Sequence, residues 1–190
     1  VFYGNRLQYS QEGGYEGSAL DDWSGHFGNP SPIKFFHVEG SVESDGHSFV
    51  NKKEIAACYD IAYSLYKGCG VQPKDMVVIS KFLEQRNALR QRLTMAGMKQ
   101  VRVVDIQDFN GDERDVVIVS LVQSEYEQYN AECGFFVRNE LNAVIGRAMS
   151  LIIFLGNGKT VLDSNNRTWR TLIDRVVEDR AVNGYDYDAD

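Results

Sequence analysis

One strand constrains the fold more than any other feature of this sequence. Residues 116–122 form an almost unbroken run of β-branched and aliphatic side chains, Val-Val-Ile-Val-Ser-Leu-Val. A strand with one solvated face alternates apolar and polar side chains, so a run without alternation indicates burial on both faces. Such burial is typical of a parallel sheet covered by helices, and we therefore predict an α/β domain.

The rest of the chain alternates strand and helix patterns. We predict further strands at 33–38, 76–79, 101–104 and 151–155, and helices after Asn51 and at 82–95, 141–148 and 168–177. Asn51 with Glu54 three residues later predicts a capping box, in which each side chain accepts the other residue's backbone N–H. Parallel strands need crossover connections, and ligands of such sheets bind at the carboxyl ends of the strands. We therefore expect the chemistry in the loops after Ile79, Val104 and Val122.

Composition divides the chain into one domain with two flanking segments. Residues 1–32 are rich in Gly, Ser, Tyr and Asp without periodicity and predict a lead-in loop. Residues 33–180 carry the α/β pattern, and residues 181–190 form an acidic tail. The net charge of -7 is unlike that of a self-sufficient nucleic-acid binder, which needs Lys and Arg to replace counterions. Any nucleic-acid contact must therefore be local or shared with another domain.

Three cysteines without a CxxC pair argue against zinc and favour a reducing, intracellular compartment, cytoplasmic or nuclear. No apolar run approaches the roughly 20 residues of a membrane span, so we expect no membrane partner. Gly158-Lys159-Thr160 follows an apolar strand and is similar to the end of a P-loop. The motif requires a glycine where Ile153 stands, and we predict a glycine-rich turn after an edge strand instead.

Four segments, in order, resemble motifs of superfamily 1 helicases of the RNA-decay and NFX-type zinc-finger group. Residues 108–124 resemble motif V, matching at Phe109, Gly111, Glu113 and Asp115, with Asn110 in place of glutamine. Residues 134–135 and 141–148, followed by 155–157, resemble motif VI. Residues 77–86 resemble motif IV, and residues 2–7 resemble the stretch where the second motor lobe begins. The resemblance covers nearly the whole chain.

The resemblance implies a RecA-like fold of the P-loop NTPase type without its own P-loop, with a mostly parallel sheet flanked by helices. It implies a second motor lobe that works with ATP and Mg²⁺, both held mainly by the first lobe of the same parent chain. The matching catalytic positions are Arg147 and Arg86, as arginine fingers. The matching nucleotide contacts are Gln85, Gly111, Glu113 and Arg147, and those for nucleic acid are Ser80, Lys81 and Gln107.

The partners implied are single-stranded RNA, in preference to DNA, and other RNA-processing proteins, in RNA decay or silencing. ATP hydrolysis is expected of the full-length parent and not of this fragment alone. Arg147 also stands out without the resemblance, because an arginine in an otherwise apolar helix just before a buried strand needs a partner.

Several positions depart from the family, and they leave a second hypothesis open. Asp105 replaces a phosphate-contacting threonine, and Lys81 replaces a proline. Arginine or another basic residue is usual at three further positions, occupied here by Gln123, Glu140 and Met149. These changes remove positive charge and favour a degenerate lobe that serves as a non-catalytic RNA–protein binding or scaffolding module. An independent α/β enzyme is a weaker alternative, because we find no nucleophile–base pair.

Overall fold

The structure of the protein is a computed structural model that describes residues 31–44, 48–109, 111–123, 138–164, 166–179 and 181–183. The strands are β1 Ile33–His37, β2 Glu43–Ser44, β3 Phe49–Val50, β4 Met76–Ile79, β5 Arg102–Val104, β6 Arg114–Ser120, β7 Ala148–Gly156 and β8 Val182–Asn183. The helices are α1 Lys52–Gly68, α2 Leu83–Met95, α3 Arg138–Ile145, α4 Gly158–Asp163 and α5 Arg167–Glu178. Several predictions concern residues outside those ranges: the start of the lead-in segment with residues 2–7, Asn110, residues 134–135, and the tail from residue 184.

Six strands form one sheet in the order β5-β4-β6-β7-β1-β8, and every neighbouring pair is parallel. The central register pairs Val77 with Val117, and Val117 with Ile152. Helices connect most successive parallel strands because the chain must return to the same end of the sheet each time, and a short 3-10 helix, Ile106–Phe109, connects β5 to β6. The predicted α/β fold with a parallel sheet is confirmed.

Helices cover both faces of the sheet. One core, with Leu65 of α1 and Leu89 of α2, packs against the side chains of Val116 and Ile118. The other core, under α3 and α5, contains Val117 and Val119, together with Trp169 in edge-to-face contact with Phe154 at 5.5 Å. Residues 116–119 have no exposed surface. The unbroken apolar run is therefore buried on both faces, as its sequence predicts.

Two element boundaries differ from the prediction in ways that matter for function. The helix predicted at 141–148 ends at Ile145, so Arg147 lies in the turn that leads into β7 and not on the helix. Gly146 has a poor helix propensity, and the N–H of Arg147 donates to Val144 O in a tightened final turn. Strand β6 begins two residues early, at Arg114, because the N–H of Arg114 donates to Arg147 O.

Other details also correct the sequence prediction. Residues 158–163 form the short helix α4, capped by Asn157, where a turn was predicted. Strand β7, which precedes it, is an interior strand between β6 and β1 and not an edge strand. The sheet extends past residue 180, since β8 pairs with β1. No helix in the described ranges is both long and apolar enough to span a membrane.

Candidate functional site

The beginnings of β6 and β7 bring the predicted nucleotide contacts together. Glu113 directly precedes β6, and Arg147 directly precedes β7. The N–H of Arg114 donates to Arg147 O at 3.0 Å, and Arg114 is paired in register with Ala148. Neighbouring strands lie about 4.8 Å apart, so the two segments emerge side by side. We call this end, where the parallel strands start, the amino end of the sheet.

Gly111 shapes the turn that enters β6. Its φ is +79°, a left-handed conformation that residues with a Cβ rarely adopt. A Cβ built on Gly111 would meet no atom within 4 Å, so space beside this glycine is open. The turn therefore needs glycine for its conformation, and it leaves room for a ligand beside the backbone.

The guanidinium group of Arg147 is not fully satisfied by the described part of the chain. Its Nε is buried and has no hydrogen-bond partner there, and the same holds for Asn142 Oδ1 and Asp115 Oδ1. Burial, with a smaller contribution from the charge of Asp75, raises the pKa of Asp115. Buried polar groups without partners cost free energy, so a further group that bonded to them would be stabilising. Such atoms are not confined to this end of the sheet, because Ser80 Oγ, just beyond β4, is also buried without a partner in the described ranges.

Two arginines form ion pairs with an aspartate of the same turn, and we call this group of three residues the arginine brace. Arg102 and Arg114 both donate to the carboxylate of Asp112, Arg114 Nη1 at 2.7 Å from Oδ1. Their guanidinium carbons lie 5.3 and 5.7 Å from the ring centre of the fully buried Phe109. The hydrogen bond from Arg114, with the charges of both arginines, lowers the pKa of Asp112.

This brace was not predicted from the sequence. Arg102 and Asp112 are ten residues apart, and they meet only because β5 and β6 both start at the amino end of the sheet.

The other candidates lie at the carboxyl end of the sheet, where the parallel strands finish. Arg86 Nη1 donates to Ser80 O and to Asp105 Oδ2, both at 2.8 Å, just beyond β4 and β5. Strand β6, seven residues long, separates this end from Arg147 by roughly 20 Å. The backbones of the two arginines therefore lie at opposite ends of the sheet, and Arg86 as a second finger beside Arg147 stays a prediction.

Gln85 belongs to a buried polar network and not to an open cleft. It is fully buried, its Oε1 accepts the N–H of Asn51 at 2.9 Å, and its Nε2 donates to Ser120 Oγ at 2.9 Å. With both ends of its amide engaged inside the protein, Gln85 has no group left for the predicted nucleotide contact. The correction follows from tertiary packing, which turns the helix start inward.

Glu54 is the centre of that network. Its Oε2 accepts the Ser120 hydroxyl at 2.6 Å and the N–H of Val122 at 2.9 Å, while Asn51 Nδ2 donates to Val122 O at 3.3 Å. Burial raises the pKa of Glu54 to about 8, although these hydrogen bonds lower it. Val122 has a φ of 70°, and Glu54 and Asn51 bind its two backbone groups. The network therefore holds the chain in a strained conformation where β6 ends.

The predicted capping box is half correct. Asn51 Oδ1 accepts the N–H groups of Lys53 and Glu54, as an N-cap should. The Glu54 carboxylate does not return to the N–H of Asn51, because it binds Ser120 and Val122 instead. Sequence spacing identified the cap but could not reveal partners that follow more than sixty residues later.

The three predicted nucleic-acid residues differ in accessibility. Ser80 is fully buried, so it cannot contact a polynucleotide in this conformation. Lys81 Nζ lies 2.9 Å from Glu140 Oε2, with 21% of the lysine side chain exposed. Gln107 is exposed, and its backbone N–H donates to Asp105 Oδ1. Lys81 and Gln107 thus remain the surface candidates at the carboxyl end.

Metal binding finds no support in this part of the chain. Within the described ranges, no group of three or more His, Cys, Asp or Glu side chains is placed to hold a metal ion. The two described cysteines, Cys58 and Cys69, are buried as free thiols.

Comparison with known proteins gives a consistent result. A family model described as an AAA domain matches residues 1–159. The chain is 29% identical over 175 residues to "Putative helicase mov-10-B.1" of Danio rerio, covering 82% of the chain and 17% of that protein. It is 29% identical over 185 residues to "Regulator of nonsense transcripts 1" of Caenorhabditis elegans, covering 91% of the chain and 16% of that protein. The chain thus spans less than a fifth of the length of either relative.

Among solved structures, the chain is similar to the C-terminal domain of a possible DNA helicase from Lactobacillus plantarum WCFS1. The TM-score is 0.47 at 17% sequence identity, covering 75% of this chain and 86% of that one.

Proposed function

The chain belongs to the AAA-domain family and is a second RecA-like domain of the superfamily 1 helicases of the RNA-decay group, and from that premise we propose that it supplies an arginine finger to ATP held by a first lobe. In this proposal the complete protein hydrolyses ATP and moves along single-stranded RNA. The finger is Arg147, and the amino end of the sheet faces the nucleotide.

One observation supports the proposal: the backbone of Arg147, whose Nε is buried without a partner in the described ranges, is bonded to that of Arg114, directly after the turn of Gly111 and Glu113. Three positions carried over from two separate motifs thus precede two neighbouring strands, which is what the proposal requires. Glu113 is exposed and can accept a hydrogen bond from a ribose hydroxyl, and the open side of Gly111 admits a ligand close to the backbone. These residues are compatible with a nucleotide that is bound mainly by the first lobe.

The chemistry of such a site is electrostatic. ATP with Mg²⁺ supplies the phosphoryl group, and phosphoryl transfer builds negative charge on the transferred oxygens. A guanidinium group whose Nε has no partner among the described residues would be able to neutralise that charge. Because Arg147 and the phosphates would lie on different lobes, catalysis would depend on lobe closure.

The test is ATP turnover in the complete protein that carries this domain. We expect Arg147→Ala to lower RNA-stimulated turnover by about 10³-fold or more, in line with the contribution of other arginine fingers. Arg170→Ala is the matched control, since this exposed arginine lies on α5. Turnover unaffected by Arg147→Ala would refute the finger assignment.

One observation favours a second function, that of a non-catalytic binding module. Two of the cations at the carboxyl end are paired within the lobe, Lys81 with Glu140 and Arg86 with Asp105. A polynucleotide gains affinity mainly from free Lys and Arg, so this neutralisation favours a non-catalytic module that binds protein or RNA weakly. Absence of ATP turnover in the complete protein, with RNA or protein binding retained, would favour this alternative.

A further inference from the structure

The arginine brace fixes the backbone of Glu113 from both sides. The N–H of Glu113 donates to Asp112 Oδ1 at 3.2 Å, and Glu113 O accepts Arg114 Nη1 at 2.6 Å. The same Nη1 donates to Asp112 Oδ1 at 2.7 Å, so the three residues form one connected set of hydrogen bonds. Glu113 is exposed, and its carboxylate has no hydrogen-bond partner in the described ranges. Glu113 thus combines a fixed backbone with a carboxylate that can accept a donor from outside this part of the chain.

Arg102 connects the brace to the edge of the sheet. It begins β5, and the strand order β5-β4-β6 places it about 10 Å from β6, with β4 between them. Its side chain spans that distance to pair with Asp112, and its guanidinium carbon lies 5.3 Å from the ring centre of Phe109. Phe109 is fully buried, so its ring has little freedom in a close-packed core. Asp112 is therefore held by two arginines that both lie against one fixed ring.

Arg114 connects the brace to Arg147. Its backbone N–H donates to Arg147 O at 3.0 Å, while its side chain donates to Glu113 O at 2.6 Å. The spacing between the backbones of Glu113 and Arg147 is therefore set by this chain itself, before any nucleotide binds. A site that is already arranged loses less conformational entropy on binding than a site that its ligand must order.

We propose that Arg102 and Asp112 are positioning residues, which orient Glu113 to accept a hydrogen bond from a ribose hydroxyl of the nucleotide and so set the selectivity for the sugar. The inference rests on the proposed function, because it deepens the role of the same nucleotide site. Neither Arg102 nor Asp112 touches the nucleotide. The sugar hydroxyls take no part in phosphoryl transfer, so this contact should change nucleotide binding and KM far more than kcat.

The experiment measures the binding of ADP, 2′-deoxy-ADP and 3′-deoxy-ADP, each with Mg²⁺, to the complete protein that carries this domain, by isothermal titration calorimetry. We expect the native protein to bind ADP about tenfold more tightly than the analogue that lacks the contacted hydroxyl, since a hydrogen bond to a carboxylate is lost. Arg102→Gln and Asp112→Asn should each reduce that preference by about three- to fivefold, the cost of ordering one free side chain. Arg102→Lys retains the charge and should lose less of the preference than Arg102→Gln.

Arg175→Gln is the matched control, because Arg175 also pairs with two carboxylates at the surface. This variant should leave the preference unchanged. The ion pairs of the brace are partly exposed and contribute little to stability, so the variants should fold, and thermal unfolding checks that they do. An equal loss of affinity for all three nucleotides in Arg102→Gln and Asp112→Asn would overturn the proposal, since a damaged fold does not distinguish between sugars.

Two further results would overturn the positioning role. One is native selectivity in both brace variants when Glu113→Gln has lost it, which would leave the proposed contact of Glu113 standing. The other is a native protein that binds all three nucleotides equally or binds none of them. Selectivity that depends on the brace would support the inference even if Arg147→Ala left ATP turnover intact. The arginine finger and the positioning role can therefore fail separately.

Discussion

The backbone N–H of Arg114 donates to the carbonyl oxygen of Arg147 at 3.0 Å, and this bond joins the beginnings of β6 and β7. It places the turn of Gly111 and Glu113 beside Arg147, the arginine that the resemblance to motif VI assigns as a finger. Because Glu113 and Arg147 each precede their strand, the candidate nucleotide contacts lie at the amino end of the sheet. Ligands of open α/β sheets usually bind at the carboxyl end, where the loops after Ile79, Val104 and Val122 lie. This lobe instead keeps its nucleotide candidates at the end where the strands start.

The chain alone should not hydrolyse ATP. No G-x-x-x-x-G-K-[ST] sequence is present to wrap the phosphates with backbone N–H groups. The measurement is phosphate release by the purified chain with Mg²⁺ and single-stranded RNA, against a buffer blank. Turnover by the pure chain, proportional to its concentration, would show that it holds the phosphates itself.

Gly111→Ala should damage nucleotide chemistry more than its effect on stability explains. A methyl group at a φ of +79° introduces strain of about 1–2 kcal/mol without a steric clash. Gly97→Ala is a closely matched control, because Gly97 has a φ of +78° and an equally open surrounding. Thermal unfolding should shift by similar amounts in both variants. ATP turnover of the complete protein should fall only in Gly111→Ala, and an equal fall in both would attribute the effect to strain.

Arg86→Ala should destabilise the fold more than it affects ATP turnover. The substitution removes hydrogen bonds from a largely buried guanidinium group to Ser80 O and Asp105, at about 2–3 kcal/mol by chemical denaturation. The control is Arg175→Ala, because that side chain is 63% exposed and its ion pairs should contribute less than about 1 kcal/mol. If a fully folded Arg86→Ala variant lost as much turnover as Arg147→Ala, the result would support a nucleotide contact by Arg86.

Glu54 should make stability fall as pH rises. Its pKa is about 8 in the folded chain, against 4.5 for an ordinary glutamate, so the folded state binds the proton more tightly. The resulting stabilisation is complete below about pH 4.5 and is lost as pH rises to about 8. Between those values, the free energy of unfolding of the native chain should fall, relative to Glu54→Gln, by at most about 1.4 kcal/mol per pH unit.

The control for that titration is Glu43→Gln, an exposed carboxylate paired with Lys52. Its pH profile should follow that of the native chain. If Glu54→Gln also followed the native profile, the proton would not be held at Glu54.

In the buried polar network, some contacts can be predicted from neighbouring residues in the sequence, whereas others depend on the tertiary fold. Spacing alone predicts Asn51 as the cap of α1, because capping depends on backbone groups two and three residues away. The partners of Glu54 and Gln85 at Ser120 depend on β6 lying between the starts of two helices. No local pattern could identify Gln85 as a buried structural residue, and the resemblance to motif IV indicated the opposite.

The sequence by itself determined the α/β class, the approximate positions of the five longest strands and the four longest helices, and the family. Those features follow from apolar periodicity and from short motifs, which act over a few residues. Only the tertiary structure decided which end of the sheet each candidate occupies, that Arg86 and Arg147 are apart, and that Lys81 is paired with Glu140. Strand order and register bring together residues that are distant in sequence, such as Arg86 with Asp105, 19 residues apart, and Asn51 with Val122, 71 residues apart, and local patterns do not encode such pairings.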